Sequence, residues 1–142
     1  MSPKSKVSCE EVDTFLSETF GNEGRNLPRT HMVDFGYAEI QLKVAPLDMR
    51  PGGFISGPTQ MAISDHAAYV AVFTQVGILP MALTSNLSIN FLRPCIGERL
   101  IAKARVLKSG RALYVISVDI YGSGSEKLSA QASVSYVLPR DM

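Results

Sequence analysis

Residues 57–77 read GPTQMAISDHAAYVAVFTQVG, a stretch that has the pattern of a buried helix. Pro58 fits the first helical position, where a missing N–H costs little. Beyond it, Met61, Ala62, Ile63, Ala67, Ala68, Val70, Ala71, Val72 and Phe73 leave apolar side chains on nearly every face, so the helix belongs inside a core. In its middle stands Asp65. Aspartate is a poor helix-interior residue, and an ionised carboxylate is costly to bury without a partner. Either something neutralises Asp65 structurally, or it lies at the mouth of a site and does chemistry.

The flanking sequence supplies what such a helix needs. Ser8-Cys9-Glu10-Glu11 reads as a capping box opening a short helix over about residues 8–20, with a stripe of Val12, Phe15, Leu16 and Phe20 and a stop at Gly21. Residues 21–28 form a loop. Ala38, Ile40, Leu42 and Val44 then alternate with Glu39, Gln41 and Lys43, the mark of a half-buried strand. Residues 46–53, PLDMRPGG, turn the chain into the central helix. After Gly77 everything is strand and turn. In residues 83–92, Leu87, Ile89 and Phe91 alternate with Asn86, Ser88 and Asn90. Residues 100–107 and 112–121 form a hairpin about Lys108-Ser109-Gly110-Arg111, with Gly110 at a position suited to φ > 0. Residues 128–138 alternate again, with Ala130, Ala132, Val134 and Tyr136 on one face. A strand pair, one long helix and a meander of four strands make an α+β domain over residues 1–142, in which a curved antiparallel sheet buries the helix.

Composition excludes several classes of function. A net charge of +1 gives no nucleic-acid surface, and 46% hydrophobic with 19% charged residues is ordinary for a globular protein. Cys9 and Cys95 are isolated and have no Cys/His ligand spacing, so no metal site is expected and a reducing compartment is. With no apolar N-terminal segment and no apolar run near 18 residues, the expected location is the cytoplasm, away from membrane.

Ser56-Gly57-Pro58-Thr59 followed by Ala62-Ile63-Ser64-Asp65 resembles a family signature. It is similar to the His-Gly-Gly segment of the small hotdog-fold acyl-CoA thioesterases of the phenylacetate-pathway (PaaI-like) type, whose acidic residue lies nine positions after the His. The strand TSNLSINFLRP at residues 84–94 and the basic turn at residues 106–111 resemble family elements in the same order. The resemblance implies the hotdog fold and hydrolysis of an acyl-CoA thioester at a site shared across a dimer interface. It also implies roles: Asp65 as nucleophile or general base, the Gly57 N–H polarising the thioester carbonyl, and the Thr84 hydroxyl orienting water or carboxylate. Coenzyme A enters as part of the substrate, and no further cofactor is implied. The chemistry is consistent with those roles, because thioester cleavage passes through an oxyanion that needs preorganised N–H donors and a positioned base.

The chain departs from the family pattern in three places. Ser56 replaces the His, Pro58 replaces a Gly, and Arg50 stands where the family often has Asn. Arg50 is expected to pair with Asp65 or to meet an acyl carboxylate. Arg93, Lys108 and Arg111 are candidates for the phosphates of coenzyme A. His66, about 100° round the helix from Asp65, reads as structural and not as a partner in one site. A hotdog hydratase or dehydratase is disfavoured by the loss of the His, and a non-catalytic acyl-CoA-binding module is the other alternative. An uncovered sheet edge and helix flank lead us to expect a homodimer, assembled further into a dimer of dimers.

Overall fold

The computed structural model describes residues 2–21 and 26–139. The capping box forms as expected: Ser8 Oγ accepts from Glu11 N at 3.1 Å, and Glu11 Oε1 accepts from Ser8 N at 3.1 Å. They open α1 (Cys9–Phe20), which buries Val12 and Leu16 and sets Phe15 edge-on to Phe73. The loop at residues 21–28 lies partly outside the described residues. Next come β1 (Arg29–Asp34) and β2 (Tyr37–Lys43), then a hairpin of two-residue strands, β3 (Met49–Arg50) and β4 (Phe54–Ile55). The buried helix is α2 (Gly57–Val76). It is followed by β5 (Leu83–Phe91), β6 (Arg99–Ser109), β7 (Leu113–Gly122) and β8 (Ala130–Val137).

Six strands form one antiparallel sheet in the order β1-β2-β6-β7-β8-β5. The first strand of the expected pair is residues 29–34, which carry no clean alternation of burial and include His31. One feature corrects the sequence reading: only β6, β7 and β8 are a true meander, since β5 crosses to the far edge and pairs with β8.

The helix runs lengthwise along the sheet. Near its start, Gln60 meets Ser129, which bonds the Ile120 carbonyl, and Ile120 pairs with Ala102 on β6. Near its end, Gln75 accepts from the Ser109 hydroxyl at the far end of β6. In this lengthwise pose α2 still touches all six strands. A helix roughly 10–12 Å wide cannot reach both edges of a flat sheet some 24 Å across, so the sheet must curl around it. Phe73, Ile63, Val70 and Val72 fill the space between.

Two local details differ from expectation. Ser56 is the N-cap and Gly57 the first helical residue, which puts Pro58 second, still among the positions whose N–H has no helical acceptor. Gly110 does not adopt a positive φ. Glycine is needed there because a Cβ would lie 2.7 Å from the Leu113 carbonyl oxygen, which the Gly110 N–H meets at 2.9 Å. Among the described residues no helix is long and apolar enough to cross a membrane.

Candidate active site

Asp65 opens onto a cleft of about 920 Å³ between α2, α1 and the segment leading into β5. Its walls are largely apolar, including Leu16, Phe20, Leu42, Ile63, Ala82 and Leu83, with Tyr69 and Tyr136 beside the carboxylate. The helix is therefore not sealed on every side: its face from Pro58 through Met61 and Ala62 to Asp65 is left uncovered by the sheet.

Two hydroxyls hold the carboxylate, and both reach the same oxygen. Thr84 Oγ1 donates to Asp65 Oδ1 at 2.7 Å, and the Tyr136 phenol donates to Oδ1 at 2.7 Å while lying 3.1 Å from the Asp65 carbonyl oxygen. Sheet register explains this convergence, because Thr84 on β5 pairs directly with Tyr136 on β8. A β-bulge between Thr84 and Asn86 reverses the strand's alternation. Without it Ser85 would share the inward face of Leu87 and Ile89; with it, Thr84 does. Burial first, and then the Asp65 charge, push the Tyr136 phenol far above its ordinary range, so it keeps its proton and remains a donor.

Tyr136 is the site residue that sequence reasoning missed. It reads as one more core position of β8, yet a phenol on a buried strand face must find a polar partner, and that requirement was the available signal.

Arg50 does not meet Asp65. Among the described residues Asp65 makes no salt bridge, and Arg50 Nε donates to its neighbour's carbonyl, Pro51 O, at 3.3 Å. The short β3–β4 hairpin carries Arg50 to a different cavity, of about 550 Å³, lined also by Gly57, Gln60, Phe91, Arg93 and Cys95. Gly57 thus faces Arg50 and Arg93, not the carboxylate. Lys108 and Arg111 lie at the opposite end of β6 and β7, and one chain does not gather the three basic residues proposed for the phosphates.

The helix start is arranged around Gly57. Ser56 Oγ accepts from Thr59 N at 3.3 Å, Ser56 O accepts from Gln60 N at 3.2 Å, and Pro58 has no N–H. Gly57 is left as the first-turn donor with no helical acceptor. The Thr59 hydroxyl in turn donates to Asp48 Oδ1 at 3.2 Å, tying the preceding loop to the cap. Where the family pattern has His, this chain uses Ser56 as a helix cap.

His66 lines the same cleft as Asp65, contrary to the separation expected from their angle on the helix, because the cleft spans more than one helical face. Its Nε2 is enclosed without a hydrogen-bond partner, and burial pushes the imidazole down to about 4 against the pull of Asp13 and Asp65.

The family model of the thioesterase superfamily matches residues 52–129. A candidate esterase of Saccharolobus solfataricus is 28% identical over 137 residues, covering 95% of this chain and 88% of that protein. The crystal structure of a candidate thioesterase from Silicibacter superposes with a TM-score of 0.85 at 29% identity, covering 96% of this chain and 95% of the other. Zebrafish thioesterase superfamily member 2 superposes with a TM-score of 0.81 at 21% identity over 94% of this chain and 100% of its own, a likeness of fold.

Proposed function

The chain belongs to the thioesterase superfamily and is a thioester hydrolase, and from that premise we propose that it cleaves acyl-CoA thioesters with Asp65 as the catalytic carboxylate. One observation carries the assignment: the one acidic side chain of a largely apolar helix opens into a large apolar cleft, with one oxygen held by two hydroxyls. The cleft suits an acyl chain, and the carboxylate suits the reacting carbon at its mouth.

As general base, Asp65 takes a proton from water while the water oxygen adds to the thioester carbonyl carbon. The resulting oxyanion is stabilised by the Gly57 N–H at the positive end of α2. Collapse breaks the C–S bond, and the departing thiolate recovers the proton from Asp65. As nucleophile, Asp65 would form a mixed anhydride that water then opens. Both routes use the same two groups, and a thiolate leaves readily without a separate acid.

Gly57 and Asp65 are eight residues apart, which is about 12 Å along the helix axis, and they line separate cavities. One chain therefore cannot offer both to one carbonyl. A second copy resolves this, and β5 supports it: the strand is a sheet edge along which Leu83 and Phe91 are 61% and 51% exposed. We take the working unit to be a homodimer, with a dimer of dimers as its further assembly. Arg50 and Arg93, beside Gly57, are placed for the anionic part of coenzyme A. Two free thiols, Cys9 and Cys95, fit a reducing compartment such as the cytoplasm.

The test is Asp65→Asn on a panel of acyl-CoA thioesters, read by thiol release. Asn keeps an oxygen for the Thr84 and Tyr136 donors and removes the charge, so the fold should persist while kcat falls by roughly 10²–10⁴. A variant that retains its turnover would defeat the assignment. Light scattering that shows a stable monomer at micromolar concentration would defeat the shared site.

A further inference from the structure

We infer that Tyr136 is a positioning residue for the reaction: with Thr84 it occupies Asp65 Oδ1 and so leaves Oδ2 as the oxygen that acts. The inference rests on the reading of Asp65 as the catalytic carboxylate. Its basis is geometric. A free aspartate can turn about its terminal torsion and present either oxygen to a ligand. Here Oδ1 accepts two hydroxyl bonds of 2.7 Å from opposed positions on neighbouring strands. Bonds to an ionised acceptor are the strong kind, and two of them on one atom oppose rotation.

The phenol itself is firmly placed. Tyr136 is 3% exposed, and its ring stacks on Tyr69 with centroids 5.7 Å apart and planes 18° from parallel. Tyr69 is fixed in turn, donating its hydroxyl to Pro80 O at 2.9 Å and packing on Phe73. The single phenol proton has two acceptors within reach, and the charged carboxylate at 2.7 Å is favoured over the carbonyl at 3.1 Å. Tyr136 borders the cleft with only 3% of its surface exposed, and both hydroxyl contacts go to Asp65, so its effect passes through that residue. It therefore bears on the barrier to the chemical step more than on binding.

Tyr136→Phe tests this, because it removes one oxygen and keeps the ring and its stacking. The expected result is a fall in kcat of about tenfold or more, with KM within about twofold and an unchanged melting temperature, the pattern of a misplaced reacting group. Thr84→Val should give a fall of similar kind, Thr84→Ser should restore most of the rate, and the Tyr136→Phe, Thr84→Val double variant should approach Asp65→Asn. Wild-type kcat in Tyr136→Phe, or a loss confined to KM or to the melting temperature, overturns the inference. If Asp65→Asn is dead while Tyr136→Phe is fully active, only the positioning role fails. If Asp65→Asn is active, the catalytic assignment fails and the positioning role with it.

Discussion

Acidification from pH 7 to pH 4 is expected to cost this protein about 3 kcal/mol of stability through His66 alone. Burial holds the imidazole near 4 in the folded chain, against 6.5 for an exposed histidine. Asp13 on α1 and Asp65 one residue before it both pull the other way, and burial outweighs them. Between these two values the unfolded chain binds a proton that the folded chain refuses. The stabilising contribution is therefore complete above pH 6.5, declines as the pH falls, and is exhausted near pH 4. A span of about 2.5 pH units at roughly 1.4 kcal/mol each gives the figure of about 3 kcal/mol. The assay is urea unfolding at several pH values for wild type and for His66→Leu, which cannot titrate. Carboxylates also titrate in this range, so the difference between the two proteins is the quantity to follow. At pH 7 the variant should match or exceed wild type, since it removes a buried nitrogen that has no partner. By pH 4 its advantage should have grown by the predicted amount. Two curves that stay parallel to within about 0.5 kcal/mol from pH 7 to pH 4 would refute the reasoning, because His66 would then be as free to protonate folded as unfolded.

Other consequences follow from single contacts. Gly57→Ala sets a Cβ 3.3 Å from the half-exposed Phe91 ring, which can yield, so the melting temperature should hold. If the adjacent N–H is the oxyanion donor, crowding it should lower kcat by about tenfold or more in the thiol-release assay. Gly97→Ala forces a side chain onto φ +129° and brings a Cβ to 2.5 Å from Gly124 N, so unfolding in urea should show a loss of about 2 kcal/mol or more. Ser8→Ala removes the acceptor of the capping box and should cost about 1 kcal/mol in the same measurement, without touching activity.

Much of the fold was legible because its signals are local. The alternation of Ala38, Ile40 and Leu42 and the apolar run about Asp65 identify strand and helix before any contact is known, and Ser8 with Glu11 marks the start of α1. The place of β5 was not legible. Strand order depends on which edge offers a partner, and nothing within residues 83–91 distinguishes β6 from β8. The site divided in the same way. Asp65 stood out because a carboxylate is anomalous on such a helix. Tyr136 is 71 positions away in sequence and meets it only through the register of β5 on β8. Arg50 was misjudged because its course depends on the β3–β4 hairpin, two residues a side, too short to leave a pattern.

The bulge at Ser85 makes this edge strand unusual in what it can tolerate by way of inherited change. A β-strand has two faces, so gaining or losing one residue does not nudge a side chain but sends it to the other side. Point changes at position 84 can be graded, and a serine there could still reach the carboxylate. Here the strand already carries one residue too many, so loss of Ser85 would set Thr84 two places from Leu87 on a regular strand, still opposite Tyr136 and facing the carboxylate. The damaging change is the reverse: a strand drawn flat with Ser85 retained would turn Thr84 outward and leave the carboxylate a single anchor. Length variation at an exposed sheet edge is ordinarily among the mildest changes a protein can undergo, and a shorter strand at this position would keep both hydroxyls where they are.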